Sequence, residues 1–371
     1  MANISFHNYI FGFCTSLLII TTLSHSESGL PSEEHVSLFI FGDSIFDAGN
    51  NNYINTSLRA NYRPYGETYF KYPTGRFSDG RLISDFIAEY AKLPVIPPYL
   101  QPGNHNFTYG ANFASAGAGA LVETSQGLVI DLNSQLSYFE RVCESLMKNL
   151  GDEEANILIS RAVYLFSVGG NDYSYIFGTN SSILQTYSHR EFVGTVLGNI
   201  TSAIEQEIYK KGGRNFGFLS LDPLGCLPFS RAVVQGQNGT GCFKEITPYV
   251  KLHNKALPKL LRKLETKLKG FRYSLSDYNE FLRDRINHPS KHGFEEGKVA
   301  CCGSGVYRGI FSCGGERGIK EYKLCSNASE YVFFDSAHTT ERVNEEFARL
   351  FWSGTPNSTA PYNLKALFEW N

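Results

Sequence analysis

Apolar residues in this chain gather in short runs that end on glycine or a small polar residue, with stretches of helical spacing between them. The first clear run, residues 36–41 (VSLFIF), ends at Gly42-Asp43-Ser44 and is followed by an Asp/Gly/Asn cluster up to Asn52. A short apolar run bounded by turn residues predicts a buried strand. Ser44 then sits in a tight turn at the strand's carboxyl end, where open α/β sheets place their chemistry. That makes Ser44 a candidate nucleophile. Further strands are expected at 162–168, ending in Gly169-Gly170-Asn171-Asp172, at 216–221 and at 272–275, and a shorter strand-like run at 331–334 ends at Asp335. Helices are expected at 81–92, 134–150, 195–211, 250–269 and 341–352. In the first, Leu82, Phe86 and Tyr90 recur at i, i+4 and i+8, and in the last Val343, Phe347, Leu350 and Phe351 face inward. This alternation predicts an α/β domain with a mainly parallel sheet. Neither an internal repeat nor a linker divides residues 35–371, so one domain is expected there.

The segments between these elements refine the picture. Asp47 begins a turn in which its side chain is expected to bond the backbone. Residues 62–80, rich in Pro, Gly and aromatics, read as a long ordered loop, and 93–100 as extended. Residues 106–121 are a run of small residues with Gly110, Gly117 and Gly119. Such a run either packs tightly or offers backbone N–H groups to an anion. It contains neither GxGxxG nor a P-loop, which removes nucleotide binding. Helix 250–269 carries a Leu257/Leu261/Leu264/Leu268 stripe flanked by Lys and Arg. Packing of that stripe on the sheet is favoured over a membrane-surface role.

Composition bounds the function. The 371 residues are 42% hydrophobic and carry a formal net charge of -2, so no basic excess points to nucleic acid. Aromatics make up 14% and are expected mostly in packing. Residues 9–23 are apolar and followed by Ser24 and Ser26, the pattern of a signal peptide over residues 1–26, although Lys and Arg are missing ahead of it. The run is too short for a comfortable membrane span, and no second run approaches the length, so no integral membrane span is expected. Cys14 would leave with the signal. Of the other seven cysteines, Cys226 is expected to pair with Cys242, and Cys301 and Cys302 with Cys313 and Cys325 in either arrangement, leaving Cys143 as a buried thiol on a helix. Sequons at Asn55, Asn106, Asn180, Asn199, Asn238, Asn327 and Asn357 fit a secreted glycoprotein.

Three polar features follow strand-like runs: Ser44, Asn171, and the pair Asp335/His338. A serine hydroxyl needs a base to take its proton and a third group to orient that base. Asp335 and His338, three apart, can face the same side in a helical turn or compact loop. Rival constellations are poorer. Pro289 interrupts the His288/His292 spacing of a helical metal pair. No CxxC suggests zinc, GxSxG is absent, and nothing singles out a glycosidase carboxylate pair.

With these residues assembled, the chain resembles the plant GDSL-type esterases/lipases of the SGNH hydrolase superfamily. The resemblance runs from residue 36 nearly to the end. It rests on FGDSIFDAGNNN, NFASAGAG, Gly169-Gly170-Asn171-Asp172 and Asp335-x-x-His338, with PYGETYFKYPTGRFSDGR and PYNLKALFEWN as further features. Ile45 stands where the name-giving Leu is usual. The resemblance implies a three-layer, flavodoxin-like α/β/α sandwich. It implies Ser44 as nucleophile, with His338 as base and Asp335 as its orienter. The oxyanion hole would comprise the Ser44 N–H, the Gly117 N–H and the Asn171 amide. No cofactor is implied, and the partner would be a lipid or other small ester. A hydrolase is the leading expectation. An acyltransferase using the same acyl-enzyme and a non-catalytic ligand-binding glycoprotein are the alternatives.

Overall fold

β1 (Leu38–Gly42) pairs in parallel with β2 (Gly110–Asn112) on one side and β3 (Val163–Ser167) on the other. β4 (Asn215–Leu219) and β5 (Arg272–Ser276) extend the parallel sheet, and a short β6 (Thr359–Pro361) closes it antiparallel to β5, in the order β2-β1-β3-β4-β5-β6. The structure, a computed structural model, describes residues 35–370 apart from His105, Asn180, Ser181, Asn238 and Thr240. The expected signal peptide with its Cys14, and the sequons at Asn180 and Asn238, lie outside the described residues.

Every position of β1, β3 and β4 is buried, as expected for parallel strands covered on both faces. Neighbours in register stack their rings across one face: Phe39 on Tyr164, Phe41 on Phe166, Tyr164 on Phe216 and Phe166 on Phe218, with centroids 5.1–5.5 Å apart. Much of the aromatic content is therefore core. Helix α1 (Ile83–Tyr90) and, further along, α2 (Leu132–Leu150) fall close to their expected positions. Phe139 of α2 meets Phe39 edge-on at 5.2 Å and so caps the aromatic face.

α3 (Asp152–Arg161) was not anticipated, because its Ile157-Leu158-Ile159 merges with the apolar run of β3. Gly151, at φ 86°, separates it from α2, and three acidic residues in its first turn favour a helix start. After β3 come α4 (Gly170–Gly178) and α5 (His189–Ser202), the latter continuing as a wider π-helical turn over Ala203–Tyr209. α6 (Thr247–Lys267) buries Leu257, Leu261 and Leu264 and leaves its basic residues outside, the packing role expected for it. α7 (Tyr278–Asn287) follows β5. α8 (Glu341–Ser353) covers the second sheet face, where Phe351 and Leu165 crowd around Gly217.

Residues 331–334 correct an expectation. They form no strand of the main sheet. Cys301 and Cys302 donate their N–H groups to the carbonyls of Phe333 and Phe334 at 2.9 and 2.7 Å, so the apolar run packs against the cysteine-rich loop. The run bridges two cores: Val332 and Phe333 join the main core, whereas Phe334 packs with Ala60, Tyr65, Phe77, Ala116 and three half-cystines. The disulfides are Cys226–Cys242, Cys301–Cys325 and Cys302–Cys313, and Cys143 is free and buried on α2. By loop-closure entropy each bridge is worth about 3 kcal/mol.

Candidate active site

Ser44 lies in the turn after β1, and the turn is fixed on every side. Gln135 accepts the Gly42 N–H and donates to the Gly42 carbonyl, each at 2.9 Å, while Asp43 N–H donates to the Ser167 carbonyl at 3.1 Å. Gly42 has φ 133°, and a Cβ there would run into the Ser167 carbonyl, so only glycine fits. Phe46 and Asp47 N–H groups then return to the Asp43 carbonyl at 3.1 and 2.9 Å, which leaves Ser44 at the apex, half-buried.

The candidate base, His338, lies on the compact loop of residues 335–338. Asp335 Oδ1 accepts from the backbone of Ala337 and His338 at 2.9 and 2.8 Å and from His338 Nδ1 at 2.8 Å. With Nδ1 donating to Asp335, His338 Nε2 is free to accept, and it lies 2.8 Å from Ser44 Oγ. Two residues that the sequence reading missed support Asp335. Tyr65 OH donates to its Oδ2 at 2.7 Å, and Arg317 donates to the Tyr65 oxygen at 3.1 Å and to the Arg59 carbonyl at 2.6 Å. Burial alone would raise the Asp335 carboxyl. The His338 and Arg317 charges and the hydrogen bonds outweigh it and hold the group well below the usual carboxylate range. Phe77 packs on the His338 ring at 4.7 Å. Tyr65 stood in an aromatic loop and Arg317 in a cysteine-rich one. Neither carried a signal beyond its residue type.

Asn171 is the second residue of α4, and its amide donates one N–H to the Ala118 carbonyl at 2.9 Å. That bond fixes the amide, and among the described residues nothing accepts its second N–H. The small-residue loop is tied down from both sides. Asp47 bonds Gly49, Asn50 and Ala116 N–H groups at 2.7–2.9 Å, which is the expected turn role plus one long-range link. The neighbouring Asp172 accepts from Ala120 N, Leu121 N and Thr124 Oγ1 at 2.7–2.9 Å, a role not read from the sequence. Gly117, at φ 88°, faces the same cavity as Ser44, Asn171 and His338. Among the described residues nothing accepts the Ser44 or Gly117 N–H. The cavity is about 410 Å³ and its walls are mostly apolar, including Leu58, Val168, Leu221, Leu227, Phe229 and Phe311.

The GDSL-like lipase/acylhydrolase family model matches residues 38–351, nearly the whole described chain. The chain belongs to this family. It is 52% identical to GDSL esterase/lipase 2 of Arabidopsis thaliana, covering 97% of both chains, and 56% identical to GDSL esterase/lipase 1 of the same plant, covering 90% of both. A GDSL lipase of Tanacetum cinerariifolium is 49% identical, over 95% of this chain and 93% of that one. Membership makes this GDSL hydrolase a carboxylic ester hydrolase of the α/β class.

Two further carboxyls line the cavity of the GDSL hydrolase. Burial pushes Asp43 and Asp222 each up to about 7, and for Asp43 the nearby Asp222 charge adds to the effect against a bond from Ile45 N–H. Elsewhere, the sequons Asn55, Asn106, Asn327 and Asn357 are exposed, whereas Asn199 is half-buried on α5 with its amide on the Thr195 carbonyl at 3.0 Å. His292 is spent on Asp284 at 2.8 Å within a single 3-10 turn, Pro289–His292. Among the described residues no cluster of His, Cys, Asp and Glu could hold a metal, and no helix is long and apolar enough to cross a membrane.

Proposed function

We propose that the chain is a secreted serine esterase in which Ser44 forms an acyl-enzyme with lipid or other acyl esters. The observation that carries this reading is the relay Asp335–His338–Ser44, with 2.8 Å at each link, opening on an apolar cavity beside unspent N–H donors. His338 Nε2 takes the Ser44 proton as Oγ attacks the ester carbonyl, and the resulting imidazolium is steadied by Asp335. The N–H groups of Ser44 and Gly117 and the free N–H of Asn171 meet the developing oxyanion. His338 then protonates the leaving alcohol, and water attacks the acyl group in a second pass through the same geometry.

The apolar walls suit an acyl chain, and the relatives' names, esterase and lipase, agree with that class. Secretion is supported by the apolar N-terminal segment of residues 1–26 and by three disulfides, which persist in oxidising compartments. A chain beginning after residue 26 should hydrolyse p-nitrophenyl esters, and Ser44→Ala should remove that activity while leaving the fold intact. Full activity in the variant would refute the assignment.

A further inference from the structure

Next to the large cavity lies a second one of about 20 Å³. The two share Ser44, Ile45, Phe77, Asp222, Ala337 and His338, so they meet at the reacting pair. The small cavity is the more polar of the two: its other walls are Tyr278, Thr339 and Asn344 together with Leu82 and Leu282. A cavity of at least about 10–15 Å³ accepts one water, which then needs two to four polar partners. The size and the lining both fit a single water.

The hydrogen-bond inventory of these walls is uneven. Asn344 is committed, its carbonyl taking the Thr339 hydroxyl at 2.6 Å and its amide donating to the Arg81 carbonyl at 2.9 Å. Tyr278 OH meets Thr339 Oγ1 only at 3.3 Å. Asp222 is 8% exposed, and no donor among the described residues reaches its carboxyl. Asp222 lines both cavities, and a carboxyl that finds no donor in the protein depends on solvent for its hydrogen bonds. Asp222 follows β4, on the same sheet edge as the Ser44 and Asn171 turns after β1 and β3. It is thus an acceptor lining the same two cavities as His338, with no donor for it among the described residues.

We infer that the small cavity seats the water that hydrolyses the acyl-enzyme, and that Asp222 positions this water by accepting one of its hydrogens. The inference rests on the Ser44 acyl-enzyme reading. The water's second hydrogen goes to His338 Nε2 as its oxygen forms a bond to the acyl carbon. The carbonyl π pair moves to the oxyanion. When the carbonyl reforms, the bond to Ser44 Oγ breaks, Oγ takes the proton from His338, and the free carboxylic acid leaves. Asp222 is a positioning residue for deacylation, and by favouring water over alcohols it biases the enzyme to hydrolysis rather than acyl transfer.

The test is rapid-mixing kinetics with p-nitrophenyl esters, with methanol added as a competing acceptor, on wild type, Asp222→Ala, Asp222→Asn and Tyr278→Phe. Asp222→Ala should give a nitrophenol burst followed by turnover slowed about tenfold or more, and its ratio of methyl ester to acid should rise at least about fivefold. Asp222→Asn, which keeps an acceptor oxygen, should recover part of the ratio, and Tyr278→Phe should shift it in the same direction as Asp222→Ala. The labelling rate of Ser44 by a fluorophosphonate identifies folded variants. Should Asp222→Ala fail to label, the Asp222→Asn and Tyr278→Phe ratios decide. A product ratio that ignores these changes in folded protein overturns the water site alone. Absence of any acyl-enzyme in wild type instead defeats the Ser44 reading.

Discussion

At the scale of single residues, the chemistry depends on side chains that never touch substrate. Asp335 is ionised in a buried place because a histidine, a tyrosine hydroxyl and, one step behind, Arg317 all stabilise its charge. Removing the tyrosine hydroxyl leaves the carboxylate one bond short, and the imidazolium that forms in the transition state loses part of its counter-charge. Tyr65→Phe is therefore expected to lower kcat/KM about tenfold with KM little changed, since hydrogen bonds to charged groups are worth about 1.5–3 kcal/mol. Steady-state kinetics on a soluble ester checks this, and an unchanged kcat would show that Asp335 needs no such support. If Asn171 is the oxyanion donor proposed above, Asn171→Ala should lower kcat about 10²–10³-fold. A loss confined to KM would place Asn171 in substrate binding instead.

At the scale of elements, the site is three strand ends and two loops held in register by buried polar bonds. The Asp172 carboxylate joins the start of α4 to the small-residue loop through two backbone N–H groups and a hydroxyl. Asp172→Ala leaves those donors buried and unpaired, and denaturant unfolding should show a loss of about 3 kcal/mol or more. A change within about 0.5 kcal/mol would mean the loop is held by packing alone. Much of this level was legible beforehand. β1, β3 and β4 are legible as apolar runs and β5 only as a short strand candidate, with Ser44, Asn171, Asp335 and His338 as polar residues just past apolar runs. The run at 331–334 misled because apolar content cannot distinguish a sheet strand from a segment wedged between the main core and the cystine-rich one. β2 and β6, three residues each, are too short for a periodic signal. α3 was hidden because its apolar residues abut β3. Tyr65 and Arg317 are joined to Asp335 only by long-range folding, so nothing local marks them.

At the scale of the whole molecule, buried acids set how stability responds to pH. Asp43 and Asp222 are pushed up to about 7, and Asp47 and Asp172 to about 6, all chiefly by burial. Unfolded aspartate titrates near about 3.9. Between that value and about 7 the folded chain binds more protons than the unfolded one, so stability falls as pH rises through this window. Asp335 has the opposite sign, because its contribution is present above the ordinary carboxylate range and lost only well below it. The sum predicts greater stability at pH 5 than at pH 8, with Tm higher by about 3 °C or more. A higher Tm at pH 8 would contradict the burial argument.

The disulfide-bonded core plays its part at the same scale. It carries Arg317 and the Asp335 loop to a sheet edge that already holds Ser44 and Asn171, and so completes one site from the two ends of the chain. The central claim is that Ser44 is the nucleophile that this arrangement activates. Its most direct test is a serine-directed fluorophosphonate on the folded protein, with the adduct mapped by mass spectrometry. One adduct per chain on Ser44 is expected, with esterase activity lost in proportion and labelling abolished in His338→Ala or by unfolding. Ester hydrolysis that persists in fully labelled protein, or an adduct on another serine, would contradict it.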